Sequence, residues 1–230
     1  NTLLQATEYI YHAGSDEYPD YVMEFLEDSL TQKEMVDIIG LLSLKVISNY
    51  INNYIYQEPV QPATLTVRGA FPTFVYKQVD ARFAGVDAAF QWHPIEHLEW
   101  TGKASIVRAQ NLTLDEPLIF IPPDRFETGL GYTLRGGKYF HSPQVSLSAV
   151  YTRRQNRFPA GVDYIDPPAA WFLLNAEVST TIAIGNWFPD IMVGCYNLTN
   201  TRYRDYMNRF RYYSDEMGRN FSVRLKFPIH

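Results

Sequence analysis

The sequence predicts an all-β chain whose strands belong to a transmembrane antiparallel up-and-down β-barrel, and three observations lead there. Apolar residues recur at every second position through most of the chain. The connections between these segments alternate between long and short. The longest apolar stretch, Asp37 to Ser48, is broken by Gly40, Ser43 and Lys45 and falls well short of the roughly 18 residues a membrane helix needs.

Period-two alternation defines the elements in order. Residues 84–92 place Ala84, Val86, Ala88, Phe90 and Trp92 on one face and Gly85, Asp87 and Gln91 on the other. Leu98, Trp100, Ala104 and Ile106 then oppose Glu99, Thr101, Lys103 and Ser105. The pattern returns at Val145, Leu147, Ala149 and Tyr151, again at Phe172, Leu174, Ala176 and Val178, and finally at Phe221, Val223, Leu225 and Phe227. Eight strands are expected, at about 42–56, 73–92, 98–109, 124–134, 143–153, 170–184, 189–200 and 218–228. Several reach the roughly nine to eleven residues of a tilted membrane strand.

Residues 1–41 form a separate segment, read as a loop or short helix around Val22, Phe25, Leu26 and Leu30 with a possible ninth strand at about 34–41. Long connections are expected at 57–71, 111–124, 153–168 and 201–218, and short turns at 93–97, 135–142 and 185–187. Long loops on one end and short turns on the other are the habit of outer-membrane barrels. Aromatic residues near the strand ends, including Tyr54, Tyr56, Trp92, Trp100, Tyr132, Tyr139, Phe140, Tyr151, Trp171 and Trp187, fit two interfacial girdles. Polar residues opposite the apolar stripe, such as Asp87, Glu99, Lys103, Glu177, Arg224 and Lys226, are expected to face the lumen. A basic residue facing hydrocarbon near the midplane would cost about 2–4 kcal/mol.

Composition narrows the function. Hydrophobic residues make up 46% and charged residues 20%, which excludes a disordered chain. The formal net charge of −5 offers no overall positive field, so nucleic acid is not an expected partner. Cys195 is the only cysteine and excludes an internal disulfide. No cofactor motif and no catalytic constellation stands out, and no enzymatic activity is expected. His93 and His97 flank Glu96 in a short turn, but Pro94 denies the helix that would bring both imidazoles to one metal.

The candidate binding residues lie in the long loops. Asp115 and Glu116 lack an obvious base or nucleophile and fit solvated loop charge, or a contact to a metal complex if they face the mouth. Arg204, Arg209 and Arg211 fall in the last loop, where a structural pairing with Asp205, Asp215 or Glu216 is favoured over direct contact with ligand.

Residues 52–59, 68–90, 115–132 and 196–228 carry a resemblance to the C-terminal barrel region of TonB-dependent outer-membrane receptors. The clearest features are "IPPDR" before a strand and the ending N-L-x-N-x-x-Y, loop, G-R-N and amphipathic strand. The similarity spans about residues 42–229. It implies a multi-pass β-barrel of the outer membrane with about 22 strands, of which this chain supplies eight or nine. It also implies uptake of a scarce ligand such as an iron chelate, another metal complex, cobalamin or a glycan, energised by the TonB complex through a plug. The chain begins at Asn1 without plug or TonB box, so a fragment or processed product, unable to transport alone, is expected. Outer-membrane lipid and the barrel-assembly machinery are the further implied partners, the latter reading the strand of Phe221, Val223, Leu225 and Phe227. The alternative from a different class is a soluble β-sandwich or barrel that stacks sugars on exposed Tyr and Trp.

Overall fold

The computed structural model describes residues 42–185 and 187–227. The helical spacing at 22–30 and the possible strand at 34–41 lie outside them. The described chain forms one antiparallel sheet: β1 (Leu42–Thr66), β2 (Gly69–Ile95), β3 (Leu98–Asn111), β4 (Glu116–Pro117), β5 (Arg125–Thr133), β6 (Phe140–Thr152), β7 (Trp171–Ile182), β8 (Asp190–Tyr196) and β9 (Asn220–Lys226). Its order is β1-β2-β3-β5-β6-β7-β8-β9, with the two-residue β4 paired beside β3. Each strand neighbours its sequence neighbour, as an up-and-down meander requires, and β1 and β9 are the two open edges.

One expected loop is a hairpin. The connection placed at 57–71 continues the ladder, with Thr66 paired to Gly69 across a tight turn. Pro59 and Pro62 favour a loop on sequence grounds because proline cannot donate to a ladder. An edge strand has one side without a neighbour, and β1 is an edge, so both are accommodated there. A register shift between Val60 and Thr64 absorbs Pro62, and a second shift between Ile51 and Tyr54 bends the strand where Asn53 has φ 58. At about 3.4 Å per residue, this hairpin rises well past the other strands.

The ladder registers align the apolar positions into continuous rows. Trp92 pairs with Trp100, Trp100 with Leu130, Leu130 with Leu147, Leu147 with Ala176, Ala176 with Cys195 and Cys195 with Phe221. A neighbouring row runs Leu98, Tyr132, Val145, Val178, Val193, Val223. Paired residues share a face, so one side of the sheet is apolar across its width. Val46 is 63% exposed, Val223 69% and Phe221 71%, on a face with no second layer among the described residues. The opposite face carries Asp87, which accepts from Ser105 Oγ at 2.6 Å, and Glu99, which accepts from Gln91 Nε2 at 3.0 Å.

The aromatic girdle divides differently from the expectation. Trp92, Trp100, Tyr132, Tyr139, Phe140 and Trp187 are exposed near the short turns, while Phe126, Tyr151 and Phe172 close the apolar face near the long loops. Tyr56 and Trp171 are buried instead, because loops fold over them on the polar face.

Close approach on the apolar face fixes one glycine. The Phe90 ring lies against Gly102, its ladder partner, and meets Trp100 edge-on at 5.1 Å between centroids. A Cβ at residue 102 would sit 2.1 Å from Phe90 Cε1. Gly102→Val is expected to displace the ring and cost about 1–3 kcal/mol, read as a lower midpoint for heat-modifiable gel migration of the full-length gene product.

Candidate functional site

The long connections at 112–124, 153–170 and 197–219 converge with the upper β1–β2 hairpin at one end of the sheet. Local chemistry shapes each of them. Asn111 Oδ1 accepts from the backbone N–H of Thr113 and Leu114, which turns the chain out of β3. Leu118, Ile119 and Ile121 then pack on Tyr56, Ala81 and Ala109. This is a core built at the loop end, not along the sheet.

The base of the last loop explains the N-L-T-N motif. Asn197 (φ 53) and Asn200 (φ 55) both take the left-handed conformation that asparagine tolerates. Asn197 accepts from Thr201 N at 2.8 Å and donates to Thr201 O at 2.9 Å. Asn200 Oδ1 accepts from Arg219 N at 2.9 Å and closes the loop against its own far end. A Cβ on Gly218 would lie 2.7 Å from that oxygen, so only glycine leaves room.

The arginines at the centre bond to the protein itself. Asn208 caps a 3-10 turn, Arg209–Tyr212, by accepting from Phe210 N. From this turn Arg211, whose side chain is fully buried, reaches Asp163 in the 153–170 loop. Tyr212 donates to the same carboxylate at 2.7 Å, and burial followed by that bond pushes its phenol above the ordinary value. Arg211 Nε and Nη1 find no acceptor among the described residues, but the guanidinium lies over the rings of Tyr206 at 4.6 Å and Tyr212 at 4.9 Å. Arg209 is held between Phe74 at 4.3 Å and Phe120 at 3.9 Å and donates to Gln57 Oε1 at 3.0 Å.

Two further contacts tie the 153–170 loop to the hairpin. Gln61 Nε2 donates to the carbonyls of Gly161 and Asp163, and Tyr164 Oη accepts from Thr73 N at 2.8 Å. Within the last loop, Arg204 and Arg202 both reach Asp215. Those bonds, the Arg204 bond first, hold the Asp215 carboxyl below the ordinary carboxylate range. Arg204 also donates to the carbonyl of Arg211 at 2.7 Å.

Of the five expected loop residues, Arg204, Arg209 and Arg211 are brought together. Asp115 and Glu116 stand apart: Asp115 is exposed and accepts from Gln110 Nε2 at 3.2 Å, and Glu116 opens β4. Sequence reasoning missed Asp163, Tyr164, Gln57, Gln61, Phe74 and Phe120, which lack any local motif. Beneath the last loop, on the polar face, lies a groove of about 560 Å³ lined by Arg125, Trp171, Asn175, Tyr203, Asp205 and Glu216 among others. Trp171 and Tyr203 meet there at 4.6 Å between ring centroids. Among the described residues no group of three or more His, Cys, Asp and Glu side chains is placed to hold a metal ion.

Burial separates the arginines energetically. Arg211→Met leaves Asp163, 3% exposed, without its cation. The expected loss is about 3–5 kcal/mol, seen as protease cleavage within 153–170 and 197–219. Arg202 is 88% exposed, and Arg202→Met is expected to leave that protease resistance within about twofold of wild type.

Comparisons with known proteins agree with this architecture. No curated protein sequence matches the chain significantly. Among solved structures, one titled "Copper transporter OprC" superposes with a TM-score of 0.65 at 16% identity, covering 81% of this chain and 28% of that one. This chain therefore spans little more than a quarter of that protein's length. The family model described as "TonB dependent receptor-like, beta-barrel" matches residues 36–198, most of the chain including the apolar rows of β2 to β7, and the chain belongs to that family.

Proposed function

We propose that this chain forms part of the wall and mouth of an outer-membrane active transporter that takes up a scarce solute with energy from TonB. The observation that carries the reading is the pair of apolar rows that the ladder continues from β3 to β9, with a polar face behind them and all long connections at one end. The polar face lines an aqueous lumen, and the loop end faces outside. The solute belongs to the class of iron chelates, other metal complexes, cobalamin or glycans, and the 560 Å³ groove under the last loop is where the wall first meets it. Arg204, Arg209 and Arg211 serve that mouth by fixing the loop over the groove. Asp115 and Glu116 supply charge farther out. The strand of Phe221, Val223, Leu225 and Phe227 presents its apolar side to lipid and acts as the assembly signal.

A soluble carbohydrate-binding sandwich would need a second sheet over the apolar rows, and the described residues supply none. Fractionation decides between the two: the full-length gene product is expected in the outer-membrane fraction, extracted only by detergent and migrating faster unheated than boiled. A detergent-free monodisperse monomer would overturn the transporter reading.

A further inference from the structure

The apolar face ends in an ionic row. One step beyond the band toward the loops, two residues along each strand, the outward side chains change character. Val86 and Ala84 give way to Arg82, Ile106 to Arg108, Phe126 to Asp124 and Tyr151 to Arg153. The ladder confirms the face: Ala84 pairs with Arg108, and Arg82 pairs with Tyr50, which is 62% exposed. Arg108 is bidentate to Asp124, with Arg153 at 3.7 Å from the same carboxylate. Arg82, Arg108 and Arg157, with Asp115, line an open cavity of about 360 Å³ on this outer surface. Four guanidiniums thus face two carboxylates. Arg82 and Arg157 are exposed, and their side chains have no acceptor among the described residues.

We infer that this outward cluster of Arg82, Arg108, Arg153 and Arg157 is a binding site for the phosphate groups of anionic lipid headgroups in the outer leaflet. The position is continuous with the apolar band, so acyl chains lying on Phe126, Tyr151 and Phe172 bring their headgroups to the level of these arginines. The guanidinium fork matches phosphate oxygens, and each basic residue at a membrane surface contributes about 1 kcal/mol. The Arg108–Asp124 pair holds the centre of the cluster rigid, leaving Arg82, Arg153 and Arg157 to engage the ligand. The inference rests on the membrane orientation proposed above.

The test uses the full-length gene product in detergent, with native mass spectrometry of bound bis-phosphorylated lipid A as the probe. Arg82→Gln/Arg153→Gln/Arg157→Gln is expected to weaken binding by about a hundredfold, while the corresponding triple lysine variant retains most of it and Arg68→Gln, at the hairpin tip, changes nothing. Dephosphorylated lipid A should bind wild type as poorly as the phosphorylated form binds the glutamine variant. Equal binding by the glutamine variant in a heat-modifiable, correctly inserted protein overturns the inference and leaves the transporter reading intact. Full competition by millimolar inorganic phosphate also overturns it, since the site would then be one for soluble anions. A product that never enters the outer membrane sinks the transporter reading first and this inference with it.

Discussion

The structure depends on the backbone hydrogen-bond ladder. A strand that crosses hydrocarbon finds no water, so each N–H and C=O must meet a neighbouring strand, and an unmet group costs several kcal/mol. That demand explains the meander order, in which every strand pairs with its sequence neighbour over the full width of the apolar face. It also explains why apolar side chains align in rows: antiparallel pairing with period two leaves them no other arrangement once one register is set. The outer edges of β1 and β9 carry the same demand, and within a membrane each must meet a further strand.

Because the ladder stabilises the wall, the wall needs no buried core of its own. The packed apolar cluster among the described residues sits at the loop end, where Leu118, Ile119 and Ile121 cover Tyr56, Ala81 and Ala109. Outside the membrane the hydrophobic effect operates again, and the loops have to be held in water. Cation–aromatic contacts and one buried ion pair do this, with Arg209 clasped by Phe74 and Phe120 and Arg211 by Asp163. Three connections and the hairpin are joined there into one body.

This division also governs what could be read from the sequence. Period-two alternation is a local signal, and strands β3, β5, β6 and β7 were legible to within a few residues because one of their faces must be apolar. The hairpin tip was not, because Pro59 and Pro62 read as loop residues unless the strand is known to be an edge, and edge position is a property of the whole sheet. The loop body was less legible still. Arg211 and Asp163 are 48 residues apart, Tyr164 and Thr73 are 91 apart, and Arg209 and Gln57 are 152 apart. No pattern within a single loop specifies such pairings. The pairing of Arg204 with Asp215 was legible because both share one loop, whereas Arg209 and Arg211, expected to pair inside that loop, leave it for Gln57 and Asp163.

Arginine shows why whole-chain charge says little here. The net charge of −5 is a sum over surfaces that never share a solvent. Arg211 is sealed among aromatics, where its charge is matched by one carboxylate and removal of either partner strands the other. Arg125, on the polar face, holds Glu127 through two nitrogens beside the lumen groove, in water that screens both. Arg82 and Arg157 lie on the outer surface just past the last apolar row, without an acceptor among the described residues and beside a low-dielectric layer that screens them least. The same side chain therefore acts as a fastener, as lumen wall lining and as an interfacial cation. The alternation of the ladder and the height along the strand decide which.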